Sequence, residues 1–162
     1  MSMLLDRLHK YENNRGMMAN LRCVLVDSKK HRAWPALYRL GIPIDNDVSA
    51  FIAGLFATHP EVSTTGNFGT TCKAIEIRRN ETAGSDLKVT QTERRFQHLL
   101  AANNEEVFDR VKRLILMAKS QGIPVNYEQL ETDLRFWGDR TKTDWAVSFW
   151  APSAPTAMEE DL

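Results

Sequence analysis

The sequence predicts an all-α protein, and three observations support this fold class. Apolar residues recur three or four positions apart along most of the chain, which places their side chains on one face of a helix. No stretch alternates apolar and polar residues for long enough to predict a strand. Asparagine, aspartate, glycine and proline stand between the apolar segments, where they begin or end helices. The 162 residues, 43% hydrophobic and 26% charged, suit one globular domain or two small ones that share a core.

The first half of the chain contains five segments with helical periodicity. Leu4 and Leu8 mark the first segment, and Met18 and Leu21 mark the second. A short basic connector, residues 28–32, separates the second helix from the third. The fourth segment is apolar on nearly every side and is therefore predicted to be buried. The predicted helices span residues 2–13, 15–26, 33–41, 48–58 and 70–79.

Four further helices are predicted in the second half. The longest is expected to begin at a cap formed by Asn103 or Asn104, because a short polar side chain can accept a hydrogen bond from the first turn. For the same reason Asp45, Asn46 or Asp47 is expected to cap the buried helix of the first half. These four helices cover residues 92–100, a long segment ending near residues 120–122, residues 126–137 and residues 141–150.

A polar stretch divides the predicted helices into two groups. Residues 80–88 are polar and lack helical periodicity, so they are the predicted boundary between two packed helical bundles. The bundles are expected over residues 1–89 and 90–150. Residues 151–162 contain three acids and two prolines and are predicted to form a disordered acidic C-terminal tail.

The net charge of zero conceals an uneven distribution of charge. Residues 1–42 contain eight basic and three acidic side chains, whereas residues 43–72 contain three acids and no base. Residues 73–120 contain ten bases and seven acids, and residues 121–162 contain three bases and eight acids. The total argues against general nucleic-acid binding by the free chain, but the distribution permits local basic surfaces.

The sequence indicates a cytoplasmic protein without a disulfide. Its longest apolar run, residues 50–57, is too short to cross a bilayer, and the first residues lack the layout of a signal peptide. Cys23 and Cys72 are too far apart for a metal knuckle or a redox pair. Both are therefore expected to pack as small apolar side chains.

Two adjacent arginines are the most informative polar feature of the sequence. In a helix, Arg94 and Arg95 lie away from the apolar stripe of Phe96, Leu99 and Leu100. No acid stands three or four positions from either arginine, so nothing on their own helix neutralises them. Two interpretations remain open. The arginines form a solvated pair, or they face phosphate groups, which suit the planar guanidinium.

Patterns typical of catalysis are missing from the sequence. The four histidines are scattered and include no HExxH pair, and residues 66–73 fail the spacing of a phosphate-binding loop. The acids Glu106 and Asp109 are explained by ion pairs one helical turn away, with Arg110 and Arg113. The four tryptophans lie on or beside apolar stripes, which favours core packing over base stacking. No catalytic residue, metal site or cofactor is predicted.

Several local motifs, taken in order, resemble one family. The motifs are Arg15-Gly16 with Leu21-Arg22, Ala33-Trp34-Pro35, residues 55–60, Asn67-Phe68-Gly69, residues 93–96 with Leu99-Leu100, Asp133-Leu134 with Trp137, and Trp145-Ala146 with Phe149-Trp150. The series resembles the CasB-type small subunit of the Cascade effector complex of type I-E CRISPR systems. The match covers roughly residues 15–150, and it rests on the order and spacing of the motifs.

The resemblance implies a fold, a function and partners. It implies two packed helical bundles without catalytic activity, present as a pair of copies in an antiviral ribonucleoprotein complex. The implied partners are the large subunit, the subunits of the guide-RNA backbone, the guide RNA, and the target DNA with its displaced strand. The implied role is to stabilise the opened target, the R-loop, through basic surfaces. The residues to which this role carries over are Arg22, Lys29, Lys30, Arg32, Arg94, Arg95, Lys112, Arg113, Arg140 and Lys142.

Some of these positions depart from a purely basic pattern. Asp139 and Asp144 flank Arg140 and Lys142, and acids also stand close to Lys112 in the sequence. Two other functions remain open at this point. One is a free-standing helical DNA-binding regulator, although the sequence lacks a clear helix-turn-helix pattern. The other is a pure protein-interaction scaffold, in which the arginines are simply solvated.

Overall fold

A computed structural model describes residues 3–79 and 88–152 of the chain. These residues form nine α-helices and two 3-10 helices, and in place of strands they contain one isolated parallel bridge, between Val62 and Val125. The predicted all-α fold is confirmed. The helices are α1 Met3–Lys10, α2 Arg15–Arg22, α3 Trp34–Arg39, α4 Asp47–Thr58, α5 Phe68–Arg78, α6 Gln91–Leu100, α7 Glu106–Gln121, α8 Tyr127–Arg135 and α9 Asp139–Phe149.

Short polar side chains cap several helices at their N-termini. Asn46, one of the three predicted candidates, accepts a hydrogen bond from the backbone N–H of Ser49 at 3.2 Å. Asn103 accepts from the N–H of Glu106 at 2.8 Å, and the Glu106 side chain accepts from the N–H of Asn103 at 3.1 Å. This reciprocal pair has the pattern of a capping box in the turn before α7, and the residue that directly precedes the helix, Glu105, makes no side-chain cap. Such caps contribute about 1 kcal/mol each.

The second helix differs from its prediction. It ends at Arg22 and continues as a 3-10 helix, Cys23–Leu25, and the basic connector forms a second 3-10 helix, Asp27–Ala33. The reason lies in packing against α4. Val24 and Leu25 lie so close to Gly54 that a Cβ there would be 3.1 to 3.2 Å from their side chains. Periodicity along α2 contains no information about that contact.

Helix α4 forms the centre of the first part of the fold. All its residues from Ser49 to Ala57 are buried, as the sequence predicts. It packs against α2, α8 and the first 3-10 helix. Tyr127 of α8 donates its hydroxyl to the carbonyl oxygen of His59 at 2.6 Å. Burial, with a smaller contribution from the charge of Glu61, raises the pKa of Tyr127 well above its usual value, so the phenol stays protonated.

Helix α5 joins the second part of the fold through a close contact with α9. A Cβ at Gly69 would collide with the backbone carbonyl of Trp145, so only glycine permits this approach. Helix α5 also packs against α6 and α7. Its Cys72 is fully buried, and burial raises the pKa of this thiol, which keeps it protonated and unreactive. Cys23 is half-buried, and both cysteines are free.

The helices share one buried apolar cluster, which extends from Leu5 to Phe149. It includes contacts across residue 89, since α4 packs against α8 and α5 packs against α7 and α9. The division into bundles at residues 1–89 and 90–150 stays a prediction. Most of the polar boundary and of the C-terminal tail lie outside the described residues. None of the described helices is long and apolar enough to cross a membrane.

The tryptophans occupy different environments. Trp145 is fully buried and Trp137 is partly buried, as predicted. The prediction of core packing is wrong for Trp34, which is 46% exposed, and only partly right for Trp150, which packs against Phe96 but is 42% exposed. The ring of Trp34 instead makes an edge contact with the exposed His31, with 6.4 Å between the ring centres.

Candidate nucleic-acid interface

Helix α6 presents Arg94 and Arg95 to solvent and directs its acid elsewhere. Glu93 accepts hydrogen bonds from the Thr90 backbone N–H at 3.3 Å and from the Trp150 indole N–H at 2.8 Å. These bonds complete a capping box at the start of the helix and attach it to the end of α9. The carboxylate is therefore used for structure, and it forms no ion pair with either exposed arginine.

The arginine pair is unneutralised by ion pairs. Within the described parts of the chain, neither Arg94 nor Arg95 lies within ion-pair distance of a carboxylate. Arg95 donates one N–H to the sulfur of Met117 on α7 at 2.9 Å. A thioether is a weak acceptor that carries no charge, so this contact orients the guanidinium but leaves its positive charge uncompensated.

The structure adds two arginines that the sequence analysis did not select. Arg78 donates to the carbonyl oxygen of Gln121, the last residue of α7, at 3.2 Å. Arg79 donates to the side chain of Gln91, the first residue of α6, at 2.7 Å. The signal in the sequence is a second arginine doublet, but nothing in it shows that the end of α5 lies beside α6.

These contacts bring three arginines to the adjoining ends of α5, α6 and α7, and Arg94 is next to Arg95 in the chain. Met117 and Gln121 stand one turn apart on α7, so the arginines that bind them follow the same helix end. The arginines come from the end of α5 and from α6, and they are named here the arginine edge: Arg78, Arg79, Arg94 and Arg95.

A buried carboxylate supports the arginine edge from below. Glu76 of α5 is 6% exposed and accepts a hydrogen bond from the hydroxyl of Thr90 at 2.7 Å. It also pairs with Lys73 at 3.2 Å. Thr90 is the residue that caps α6, so this network fixes the start of the arginine-bearing helix against α5. A second acid close to the arginines is thus used inside the fold.

Arg22 lies on a different part of the surface. Its Nε–H donates to the carbonyl oxygen of Ala57 at 2.8 Å, in the last turn of α4. No acid stands on the helix of Arg22, and its hydrogen-bond partner is instead a backbone carbonyl of a neighbouring helix. A cation at a helix C-terminus is stabilised by the helix dipole. Arg22 therefore has a structural role, although the residue as a whole is exposed.

The basic connector places its cations on an exposed 3-10 helix. Lys30 pairs with Asp27 at 3.5 Å, and this pair is largely solvated. Lys29 and Arg32 are exposed, and no ion pair involves either of them in residues 3–79 and 88–152. This segment thus presents two free cations and one that is partly compensated.

Lys112 and Arg113 of α7 are tied to neighbouring groups. Lys112 donates to the carbonyl oxygen of Leu25 at 3.0 Å, a contact between residues 87 positions apart. Arg113 pairs with Asp109 at 3.1 Å, as the sequence predicts. Lys112 also shares a groove with Asp109 and three further carboxylates, so the local charge there is unfavourable for phosphate.

Arg140 and Lys142 lie in the first turns of α9. The ammonium group of Lys142 lies 5.5 Å from the centre of the Trp137 ring, a cation–π contact. Arg140 is exposed, and Asp139 stands beside it at the start of the helix. The indole N–H of Trp137 donates to the carbonyl oxygen of Ala102 at 2.9 Å, which ties this region to the turn after α6 and away from its arginines. The ten predicted residues therefore occupy several separate surface regions.

Comparison with known proteins identifies the family. The model of the family described as CRISPR-associated protein Cse2 matches residues 17–150. The chain belongs to the Cse2 family. The resemblance to the CasB-type small subunit of Cascade, predicted from the motifs, is thereby confirmed.

Solved structures show the same fold. CasB from Thermus thermophilus is 16% identical to this chain, with a TM-score of 0.70 over 92% of this chain and 96% of that one. A second structure from Thermus thermophilus, of a CRISPR-associated protein of the Cse2 family, gives a TM-score of 0.71 at 16% identity, with the same coverage. CasB from M. ruber gives a TM-score of 0.65 at 19% identity over 91% of this chain and 92% of that one. No curated protein matches the sequence significantly.

The arginines of the arginine edge have a guanidinium group, which can bind phosphate through paired N–H groups. Among residues 3–79 and 88–152, no group of three or more histidine, cysteine, aspartate or glutamate side chains lies together as metal ligands would.

Proposed function

We propose that this Cse2-family chain is a non-catalytic small subunit of a CRISPR RNA-guided complex, and that its arginine edge contacts the nucleic-acid backbone and stabilises the R-loop. One observation carries the proposal. Arg94 and Arg95 are exposed and have no ion pair within the described residues, while Glu93 beside them is held by Thr90 and Trp150. The positive charge of Arg94 and Arg95 is thus available to a ligand from outside.

The chemistry of the edge suits the phosphate backbone. Guanidinium groups form paired hydrogen bonds with phosphate oxygens and recognise no particular base, so the contacts are independent of sequence. The chain as a whole has no net charge, which limits its affinity for nucleic acid outside an assembly. Retention beside the nucleic acid by other subunits raises the effective concentration and compensates for this weakness.

Modest contacts are sufficient for the proposed role. Replacing a DNA duplex by an RNA–DNA hybrid is nearly balanced in free energy, so a few phosphate contacts can shift the equilibrium toward the open target. The proposed ligands are the guide RNA, the target DNA and its displaced strand. The proposed protein partners are the other Cascade subunits and a second copy of this chain. The proposed location is the cytoplasm, where such a complex meets invading DNA.

Charge reversal of the arginine edge tests the proposal. We expect Arg94→Glu together with Arg95→Glu to shorten the lifetime of the R-loop at least tenfold, because two cations are replaced by two anions facing phosphate. The measurement is the dissociation rate of a labelled target duplex from the reconstituted complex. The matched control is Arg15→Glu with Arg39→Glu, the same change of charge at two exposed arginines on α2 and α3.

The salt dependence of nucleic-acid binding is a second test of the arginine edge. Removing one phosphate contact reduces the slope of log affinity against log salt by about 1. We therefore expect a slope that is smaller by about 2 when Arg94 and Arg95 are changed to alanine, with the subunit still incorporated. Equal R-loop lifetimes and equal slopes for the wild type and these variants would contradict the role of the arginine edge.

A protein scaffold is the second candidate function, because a different part of the surface favours it. The groove beside Lys112 combines apolar side chains with carboxylates, which suits a protein partner better than phosphate. The two functions are compatible within one subunit. If every arginine variant joined the complex and the R-loop lifetime stayed unchanged, only the scaffold function would remain supported.

A further inference from the structure

A groove of about 310 Å³ lies between the 3-10 helices, the start of α4 and the first half of α7. Its floor is apolar, with the rings of Phe51 and Phe108 in edge-to-face contact at 4.9 Å. Trp34 and Ile44 form part of its wall and are 46% and 48% exposed. An apolar floor of this kind, open to solvent, is typical of an interaction site.

Carboxylates surround this floor, and the site is named here the acidic groove. Asp27, Asp47, Glu105 and Asp109 all line it. Asp47 and Glu105 are exposed, and neither side chain has an ion pair in the described segments. They come from α4 and from the residue before α7, so two separate elements supply uncompensated negative charge to the same space.

The two lysines of the acidic groove do not cancel this charge. Lys30 is paired with Asp27 at 3.5 Å, and Lys112 donates to the carbonyl oxygen of Leu25 at 3.0 Å. Four carboxylates and two ammonium groups share the lining, and Arg113 pairs with Asp109 at 3.1 Å, so an excess of one negative charge remains, with Asp47 and Glu105 unpaired among the described residues. A phosphate entering the acidic groove would therefore meet repulsion, whereas a cation would be attracted.

We propose that the acidic groove docks a segment of another protein subunit in which one large apolar side chain lies between two or more lysines or arginines. The apolar side chain would fill the floor beside Phe51 and Phe108, and the flanking cations would bind Asp47 and Glu105. The C-terminal sequence of this chain, residues 159–161, is acidic and has the wrong charge for the site. This inference rests on the proposed function, because the partner belongs to the same complex.

Charge reversal in the acidic groove tests the inference. We expect Asp47→Lys with Glu105→Lys to weaken association with the remaining subunits and guide RNA at least tenfold, measured as the Kd of the labelled subunit for the complex that lacks it. The matched control, Asp6→Lys with Asp144→Lys, makes the same change of charge at two exposed acids outside the groove. We expect the control to bind as the wild type does.

Two milder variants keep the test decisive if charge reversal disturbs folding. Asp47→Asn with Glu105→Gln retains the shape of each side chain, and Ile44→Ser removes exposed apolar contact from the wall. Each should weaken association about threefold while the melting temperature stays within a few degrees. Wild-type association by both of these folded variants would overturn the docking proposal.

Photocrosslinking identifies the occupant. With p-benzoylphenylalanine in place of Trp34, we expect the assembled complex to yield a crosslink to a peptide of another subunit that contains an apolar residue between basic ones. Crosslinks only to RNA or DNA, to a second copy of this chain or to its own C-terminal residues would overturn the inference. Failure of the wild type to join any complex would instead reject the proposed function, so the two failures are distinguishable.

Discussion

The arginine edge and the acidic groove both bring cations together from separate helices, but they differ in the position of the neighbouring carboxylates. At the arginine edge, Glu76 and Glu93 are held by Thr90 and Trp150, and Arg78, Arg94 and Arg95 remain exposed. In the acidic groove, Asp47 and Glu105 face the same space as Lys112, whose ammonium group binds a backbone carbonyl. We therefore propose that similar side chains favour phosphate in one region and basic protein segments in the other.

This difference shows that counting cations is a poor guide to nucleic-acid binding. A lysine or arginine contributes to a phosphate site only where the surrounding acids are otherwise engaged. The structure meets this condition at Arg94 and Arg95 and fails it at Lys112, although all three residues stand in basic segments of the sequence. The difference between the arginine edge and the acidic groove can be tested with variants that alter the contacts of one region and leave the other intact.

The largest effect is expected from Gly69→Leu, which disrupts the support of the arginine edge. Its side chain would collide with the backbone carbonyl of Trp145, so α5 must move away from α9. We expect the free energy of unfolding, measured by chemical denaturation, to fall by about 3 kcal/mol. In the control, Gly16→Ala, the nearest atom is 3.7 Å away, and we expect a change within about 1 kcal/mol. Equal stabilities for the two variants would contradict the close contact.

A smaller effect is expected from Glu76→Ala, which removes the buried carboxylate beneath the arginine edge. Thr90 and Lys73 would lose their partner, and we expect a loss of about 2 kcal/mol in the free energy of unfolding. The contrasting variant is Asp109→Ala, which breaks an exposed ion pair beside the acidic groove and should cost less than about 0.5 kcal/mol. Hydrogen exchange should show faster opening of α6 only in the first variant; equal protection of α6 in both would count against the supporting network.

The smallest effect is expected from Lys112→Met, which tests whether the acidic groove contributes to nucleic-acid binding. The methionine keeps most of the side-chain length but loses the hydrogen bond to Leu25, so we expect stability to fall by about 1 kcal/mol. The R-loop lifetime of the assembled complex should stay within twofold of the wild type. If the R-loop lifetime fell as far as it is expected to fall in the Arg94 and Arg95 variant, the acidic groove would also contact phosphate. The proposed difference between the two regions would then be wrong.

Several features of the fold could be predicted from the sequence because they depend on residues close together in the chain. Helical periodicity located the helices, and the polar residues before them located the cap at Asn46 and the capping-box pattern at Asn103. The continuous apolar run of α4 predicted its burial. The lack of acids one turn from Arg94 and Arg95 was also visible, and no ion pair of these residues occurs in the part of the chain that is described.

Tertiary structure alone decided those uses of charged side chains that join residues far apart in the sequence. The contact of Lys112 with Leu25 joins residues 87 positions apart, and the bond from Trp150 to Glu93 joins residues 57 positions apart. The placement of Arg78 against the end of α7 depends on a separation of 43 residues. A local sequence pattern reports only on neighbours within a turn or two. Such patterns were sufficient to predict the helices and, by their order along the chain, the family of this protein. The packing of those helices then determined which cations stay free and which carboxylates face outward.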